Sequence, residues 1–183
     1  LVKSISYKNG VKDGECFSYY VDGTNRRNKE TDRWEKDYYY EKTTFKNGKK
    51  NGEYENTKNG VKGNYINNKK NGVLKDSFKN IYSNLTSSYQ NKYDLDKWDV
   101  KRFVERNFDL IGDYEIKYSD RCGKVFYVNG VLNGDFTINS SEGKFELGLP
   151  NGVVKHDRNN NWKDVITSKL YVDGIIDTEV IYD

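Results

Sequence analysis

Few side chains in this 183-residue sequence are suited to covalent chemistry: two cysteines, Cys16 and Cys122, and a single histidine, His156, followed by Asp157. Together they spell one nucleophile–base set, a thiol activated by imidazole with Asp157 orienting the ring. Nothing local supports it, because neither cysteine lies in a strand-to-helix elbow or a glycine-rich oxyanion turn. A lone histidine also excludes a multi-histidine metal site within one chain. Carboxylates are so numerous that no acid–base pair is singled out. The glycines stand between strand-like runs, with no helix N-terminus behind them to receive a phosphate. These residues predict a chain without catalytic residues, cofactor or metal.

Aromatic side chains are the richer resource, at 15% of the chain and including 16 tyrosines. Trp34 with the run Tyr38, Tyr39, Tyr40, and Trp162 after three asparagines, supply rings that can stack on sugars or anchor a protein partner. Strand alternation turns the middle ring, Tyr39, to the face opposite its neighbours, which marks it as a contact candidate. Charge is unevenly spread. Residues 46–75 carry eight lysines against two glutamates, while residues 113–183 carry eight basic and twelve acidic residues. This polarity can orient a protein partner or a second copy of the chain. With a formal net charge of +3 the chain is not basic enough to indicate nucleic-acid binding. Lys46, Lys49, Lys50 and, further on, Lys58 are the cations for which architecture supplies no evident use. Val, Ile, Leu and Phe together make about 23% of the sequence, enough for a lean core. No apolar run reaches membrane-spanning length.

What positions these residues is a repeated frame. YKNGVKDG (7–14), FKNGKKNG (45–52), YINNKKNG (65–72), YVNGVLNG (127–134), FELGLPNG (145–152) and YVDGIIDT (171–178) share one rule: aromatic, any residue, turn pair, two residues, polar, glycine. The aromatics are Tyr7, Phe45, Tyr65, Tyr127, Phe145 and Tyr171. The turn glycines are Gly10, Gly48, Gly130, Gly148 and Gly174, and the closing glycines Gly14, Gly52, Gly72, Gly134 and Gly152. An Asn-Gly pair takes positive φ at both positions, as a type I′ hairpin requires. Lys46 then pairs with Lys49 and Phe45 with Lys50. In that register the closing glycine is the diagonal neighbour of its own unit's aromatic, and the expectation is a ring laid on the glycine backbone, Tyr7 on Gly14 and Tyr127 on Gly134. Alternating runs at 114–119, 125–129 and 135–140 read as further strands. Asp22-Gly23, Asn59-Gly60 and Glu142-Gly143 read as turns between strands of five or six residues.

This frame resembles the MORN repeat, and more closely its variant in bacterial proteins, whose units read aromatic-x-Asn-Gly-x-x-x-Gly followed by a tyrosine-rich strand. The resemblance covers residues 5–75 and 114–183. It implies an elongated single-layered sheet of hairpins that acts in protein interaction or scaffolding, with some bacterial relatives labelled antitoxins. The expected function is accordingly a non-enzymatic module of antitoxin or immunity type, or one that contacts a surface or host partner. A carbohydrate or cell-wall module using exposed Tyr and Trp is the alternative, and a hydrolase the third.

Residues 76–112 break the frame. Phe78, Ile81, Tyr82, Leu85 and Tyr89 fall at helical spacing. Asp94 or Asp96 can cap a second helix with Leu95, Trp98, Phe103, Val104 and Phe108 on its apolar side and Gly112 as its stop. The fold expected is mainly β, an antiparallel meander over 1–75 and 113–183 with a helical hairpin inserted between, all in one continuous domain, the helices covering one sheet face. The cysteines pair if the chain is exported and stay as thiols if it is not. A start at Leu1 fits a removed leader, a lipoprotein signal or a trimmed chain, with export slightly favoured.

Overall fold

The frame's turn pairs fold as type I′ hairpins. A computed structural model of the chain describes residues 2–27, 32–107, 122–160 and 163–182. In all six units the first turn residue has φ between 49° and 52° and the second between 69° and 90°. Asn, Asp and Gly tolerate this left-handed conformation, but the fifth unit places Leu147 there at φ 49°, with its side chain 78% exposed. Leu147→Asn is expected to raise stability by about 1 kcal/mol, read as a higher midpoint in thermal unfolding.

Among the described residues, fifteen strands form one antiparallel sheet. The first hairpins use β1 (Val2–Lys8), β2 (Val11–Arg27), β3 (Trp34–Lys46), β4 (Lys49–Asn56), β5 (Val61–Ile66), the short β6 (Lys69–Lys70) and β7 (Gly72–Ser77). Two helices follow, α1 (Phe78–Tyr93) and α2 (Lys97–Asn107). The sheet resumes with β8 (Cys122–Val128), β9 (Val131–Leu132), β10 (Gly134–Ile138), β11 (Ser141–Glu146), β12 (Leu149–Pro150), β13 (Gly152–Asn160), β14 (Lys163–Val172) and β15 (Ile175–Tyr182). β7 pairs directly with β8, so the helical hairpin leaves the meander without interrupting it.

The expected register holds at the tips: Phe45 pairs with Lys50 and Lys46 with Lys49. The closing glycine does not keep the expected register within its own hairpin. Beyond the tip the pairing slips, Thr43 facing Tyr54, and Gly52 swings away from its own hairpin with φ 113°. A Cβ on Gly14, Gly52 or Gly134 would meet Ser6, Thr44 or Phe126, the residue before the unit's aromatic, not the aromatic ring. Each closing glycine instead pairs with the aromatic of the next unit: Gly14 with Phe45, Gly52 with Tyr65, Gly72 with Tyr127, Gly134 with Phe145 and Gly152 with Tyr171. In the sixth unit the frame carries Thr178 at this position. The glycine is thus a joint between units.

A second joint lies at the tips. The backbone N–H of the second turn residue donates to the carbonyl of the previous unit's sixth residue: Gly48 to Lys12, Asn68 to Lys50, Gly130 to Lys70, Gly148 to Leu132 and Gly174 to Pro150, all within 2.8–2.9 Å. The Gly130 bond spans the helical insertion, so the stack runs through it.

One face of β7 to β14 carries the core. Leu74, Val125, Tyr127, Leu132, Phe136, Ile138, Phe145, Leu149, Val154 and Tyr171 pack there against Phe78, Ile81, Tyr82, Leu85 and Tyr89 of α1 and Val100 and Val104 of α2. The α1 stripe is as its spacing predicts. Ser77 caps α1, Asp94 ends it in the left-handed region, and Asp96 caps α2 by accepting from the N–H groups of Trp98 and Asp99 at 2.8 and 2.9 Å. With Asp96 as cap, Val100 and Val104 face the sheet, and Trp98, about 200° round the helix from Val100, points outward at 84% exposure. Its expected place on the apolar side is therefore corrected. Phe108, Gly112 and the run at 114–119 lie outside the described residues. α1 also grips the hairpin tips. Asn84 Nδ2 donates to Gly130 O and its Oδ1 accepts from Leu132 N, while the Tyr89 and Tyr93 hydroxyls donate to Gly174 O and Asp173 O.

Two expected turns are strand instead. Asp22 and Gly23 lie inside β2, where its pairing with β3 shifts between Val21 and Asn25. Glu142 and Gly143 lie inside β11, after a turn at Asn139. Gly143 is glycine because Phe136 and Val154 press on it, and a Cβ would stand 2.8 Å from both side chains.

Candidate interaction surface

Among the described residues the helices pack only on the later strands, and neither face of β1 to β4 carries a second layer. On the continuation of the helix face, lysines take the place of the missing helices. The sixth frame residue is Lys12, Lys50 and Lys70 in the first three units and Leu132, Pro150 and Ile176 in the last three. Lys12 Nζ sits 5.1 Å from the Phe45 ring centre, Lys50 Nζ 5.0 and 5.3 Å from Tyr54 and Tyr65, and Lys70 Nζ 5.2 Å from Tyr127. In the first two units the ammonium covers the ring from the solvent side, whereas Lys70, at the edge of the helix-covered core, turns its ammonium to the buried Asp76 carboxylate. Under the helices the same position is apolar and packed. Lys50 therefore has an architectural use, contrary to its expected freedom.

Tyr39 points to this same face. It is half-buried, stacked on Tyr20 at 6.1 Å, with Lys58 Nζ 5.8 Å above it. Its neighbours Tyr38 and Tyr40 turn to the opposite, open face. The contact candidate is therefore Tyr38, 75% exposed, rather than Tyr39. Tyr38 pairs with Val21, Tyr40 with Tyr19, and Tyr19 with Val2, placing these side chains side by side. Phe17 stacks on Tyr19 at 6.1 Å, and Tyr19 lies 6.2 Å from Tyr40. Val2, Tyr19 and Val21 are exposed, so the patch is apolar, aromatic and open.

A charged rim borders it. Lys42 reaches Glu15 at 2.6 Å and Glu53 at 3.4 Å, and the Tyr40 hydroxyl donates to Glu55 at 2.8 Å. The hydrogen bond with Glu15 raises the Lys42 pKa, and the bond to Glu55 raises that of Tyr40. Both groups thus stay protonated through neutral pH.

The other candidates are scattered. Lys46 and Lys49 are exposed at the second hairpin tip, on the open face but at the end away from Tyr38. Trp34 pairs with Arg27 through the backbone, and its side chain lies outside the described residues, as does all of Trp162. Alternation alone pointed to a split of Tyr38, Tyr39 and Tyr40, but which face stays open depends on where the helices dock.

The cysteine–histidine set is not assembled. Cys16 and Cys122 are both free thiols. Their strands, β2 and β8, are five strand spacings apart, about 24 Å, which also precludes a disulfide between them. β13, which carries His156, is three spacings from β8, about 14 Å. Among the described residues, no three His, Cys, Asp or Glu side chains cluster to hold a metal, and no helix is long and apolar enough to cross a membrane. No protein-family model, curated protein or solved structure matches the chain.

Proposed function

We propose that this chain is a non-enzymatic interaction module that docks a protein partner on the open face of β1, β2 and β3, of the antitoxin, immunity or surface-contact kind that its MORN-like frame suggests. The observation that carries the reading is the patch of exposed Val2, Tyr19, Val21 and Tyr38 with half-buried Phe17 and Tyr40, on a sheet face that no second layer covers among the described residues. Tyrosines on a rigid sheet supply large contact area with little side-chain entropy to lose, which is how interface anchors work. The rim of Lys42, Glu15 and Glu53 supplies orientation.

With the partner identified by cross-linking and then purified, Tyr19→Ala with Tyr38→Ala is expected to weaken binding by about thirtyfold or more. The melting temperature should move little, because both rings are exposed. Unchanged affinity in the folded double variant overturns this docking face. Exposed rings beside the Glu15 and Glu53 carboxylates also suit a glycan. Saturable binding to an oligosaccharide, lost in the same variant, would favour that second reading.

A further inference from the structure

Three lysines stand in direct register on the open face, in the row that runs on from Phe17 and Lys42 through Glu55. Lys62 on β5 pairs with Lys75 on β7, and Lys75 with Lys124 on β8. Paired positions share a face with their Cβ atoms about 5 Å apart, and like charges so placed repel. Carboxylates flank this row without filling it. Glu55 Oε1 lies 3.7 Å from Lys62 Nζ, Glu142 follows beyond Thr137 in the same row, and Asp135 pairs with Lys144 on the next row. Among the described residues, Lys75 and Lys124 form no ion pair. The fold gains nothing evident from assembling three cations here.

The row borders an open cavity of about 880 Å³, lined also by Gly60, Cys122, Thr137 and Asn139. Gly60 leaves room on one side: a Cβ there would stand 3.7 Å from the Lys75 ammonium. A second hollow of about 430 Å³ shares Val73, Lys124 and Thr137 and extends to Lys144. The lysines thus line one side of an open hollow large enough for a small ligand, with the Thr137 hydroxyl also on its lining.

We propose that this trough binds a phosphoryl group, as free phosphate or pyrophosphate or as a small phosphate ester. Several ammonium groups around one multiply charged oxyanion convert their mutual repulsion into shared attraction. The site lies on β5 to β8 and does not depend on the partner-docking patch of β1 to β3.

The test is calorimetric titration of the full chain with sodium pyrophosphate at low salt, with inorganic phosphate and phenyl phosphate as further arms for the free and esterified forms. Wild type is expected to bind pyrophosphate saturably. Lys75→Gln with Lys124→Gln should weaken it by about tenfold or more. Lys3→Gln with Lys8→Gln on β1 removes the same net charge elsewhere and should change it by less than about twofold. The trough variant should also melt higher than wild type without ligand, having lost the repulsion, and gain no further shift from pyrophosphate. Absence of saturable binding, an unchanged affinity in the trough variant, or equal weakening in the β1 variant would overturn the proposal.

Discussion

Asp76→Ala is expected to cost about 3–5 kcal/mol of folding stability, the range for removing one member of a buried charged network. Asp76 on β7 is fully buried where the sheet meets the start of α1. Its carboxylate pairs with Lys70 and accepts from the Tyr127 hydroxyl at 2.9 Å, the Asn80 side chain at 2.7 Å and the Ser77 N–H at 2.9 Å. Burial, and then the Asp76 charge, raises the Tyr127 pKa, so the phenol remains a donor. Alanine would strand Lys70, Tyr127 and Asn80 together. Asp76→Asn keeps an acceptor and should lose less. Urea unfolding of the three proteins measures the difference, and a loss under about 1 kcal/mol for alanine would mean the network is dispensable.

Leu132→Lys is expected to destabilise by about 3 kcal/mol or more, whereas Lys50→Leu should stay within about 1 kcal/mol of wild type. Both changes act on the sixth residue of the frame. Leu132 is fully buried beneath α1, so a lysine there has neither solvent nor partner. Lys50 lies over Tyr54 and Tyr65 where no helix covers the sheet, and leucine loses only the cation–ring attraction. The pair is compared by the same urea titration. Equal effects would show that helix cover does not set the identity of this position.

That alternation of Lys12, Lys50, Lys70 with Leu132, Pro150, Ile176 stands plainly in the sequence. Its meaning does not, because it depends on which strands α1 and α2 cover. The tips were legible because Asn-Gly chemistry is local: positive φ at Asn47 and Gly48 sets Lys46 against Lys49 without reference to the rest of the chain. The α1 stripe was legible for the same reason, as spacing within one element. The closing glycine was not. Gly52 answers to Tyr65, a residue of the next unit, through a slip in pairing that no single hairpin reveals. Trp98 turned outward because the buried stripe of α2 runs through Val100 and Val104, and Trp98 lies about 200° round the helix from Val100. The trough lysines escaped notice because Lys62, Lys75 and Lys124 are far apart in sequence and meet only through strand register.

The central claim is that the open face of β1 to β3 is where a partner docks. Tyrosine-selective modification read by mass spectrometry, with and without the purified partner, tests it most directly. Tyr38 and Tyr19, 75% and 46% exposed, should react in the free protein and be shielded in the complex, while the fully buried Tyr89, Tyr127 and Tyr171 stay unreactive in both. Tyr38 and Tyr19 reacting equally in the free and bound protein would contradict the account.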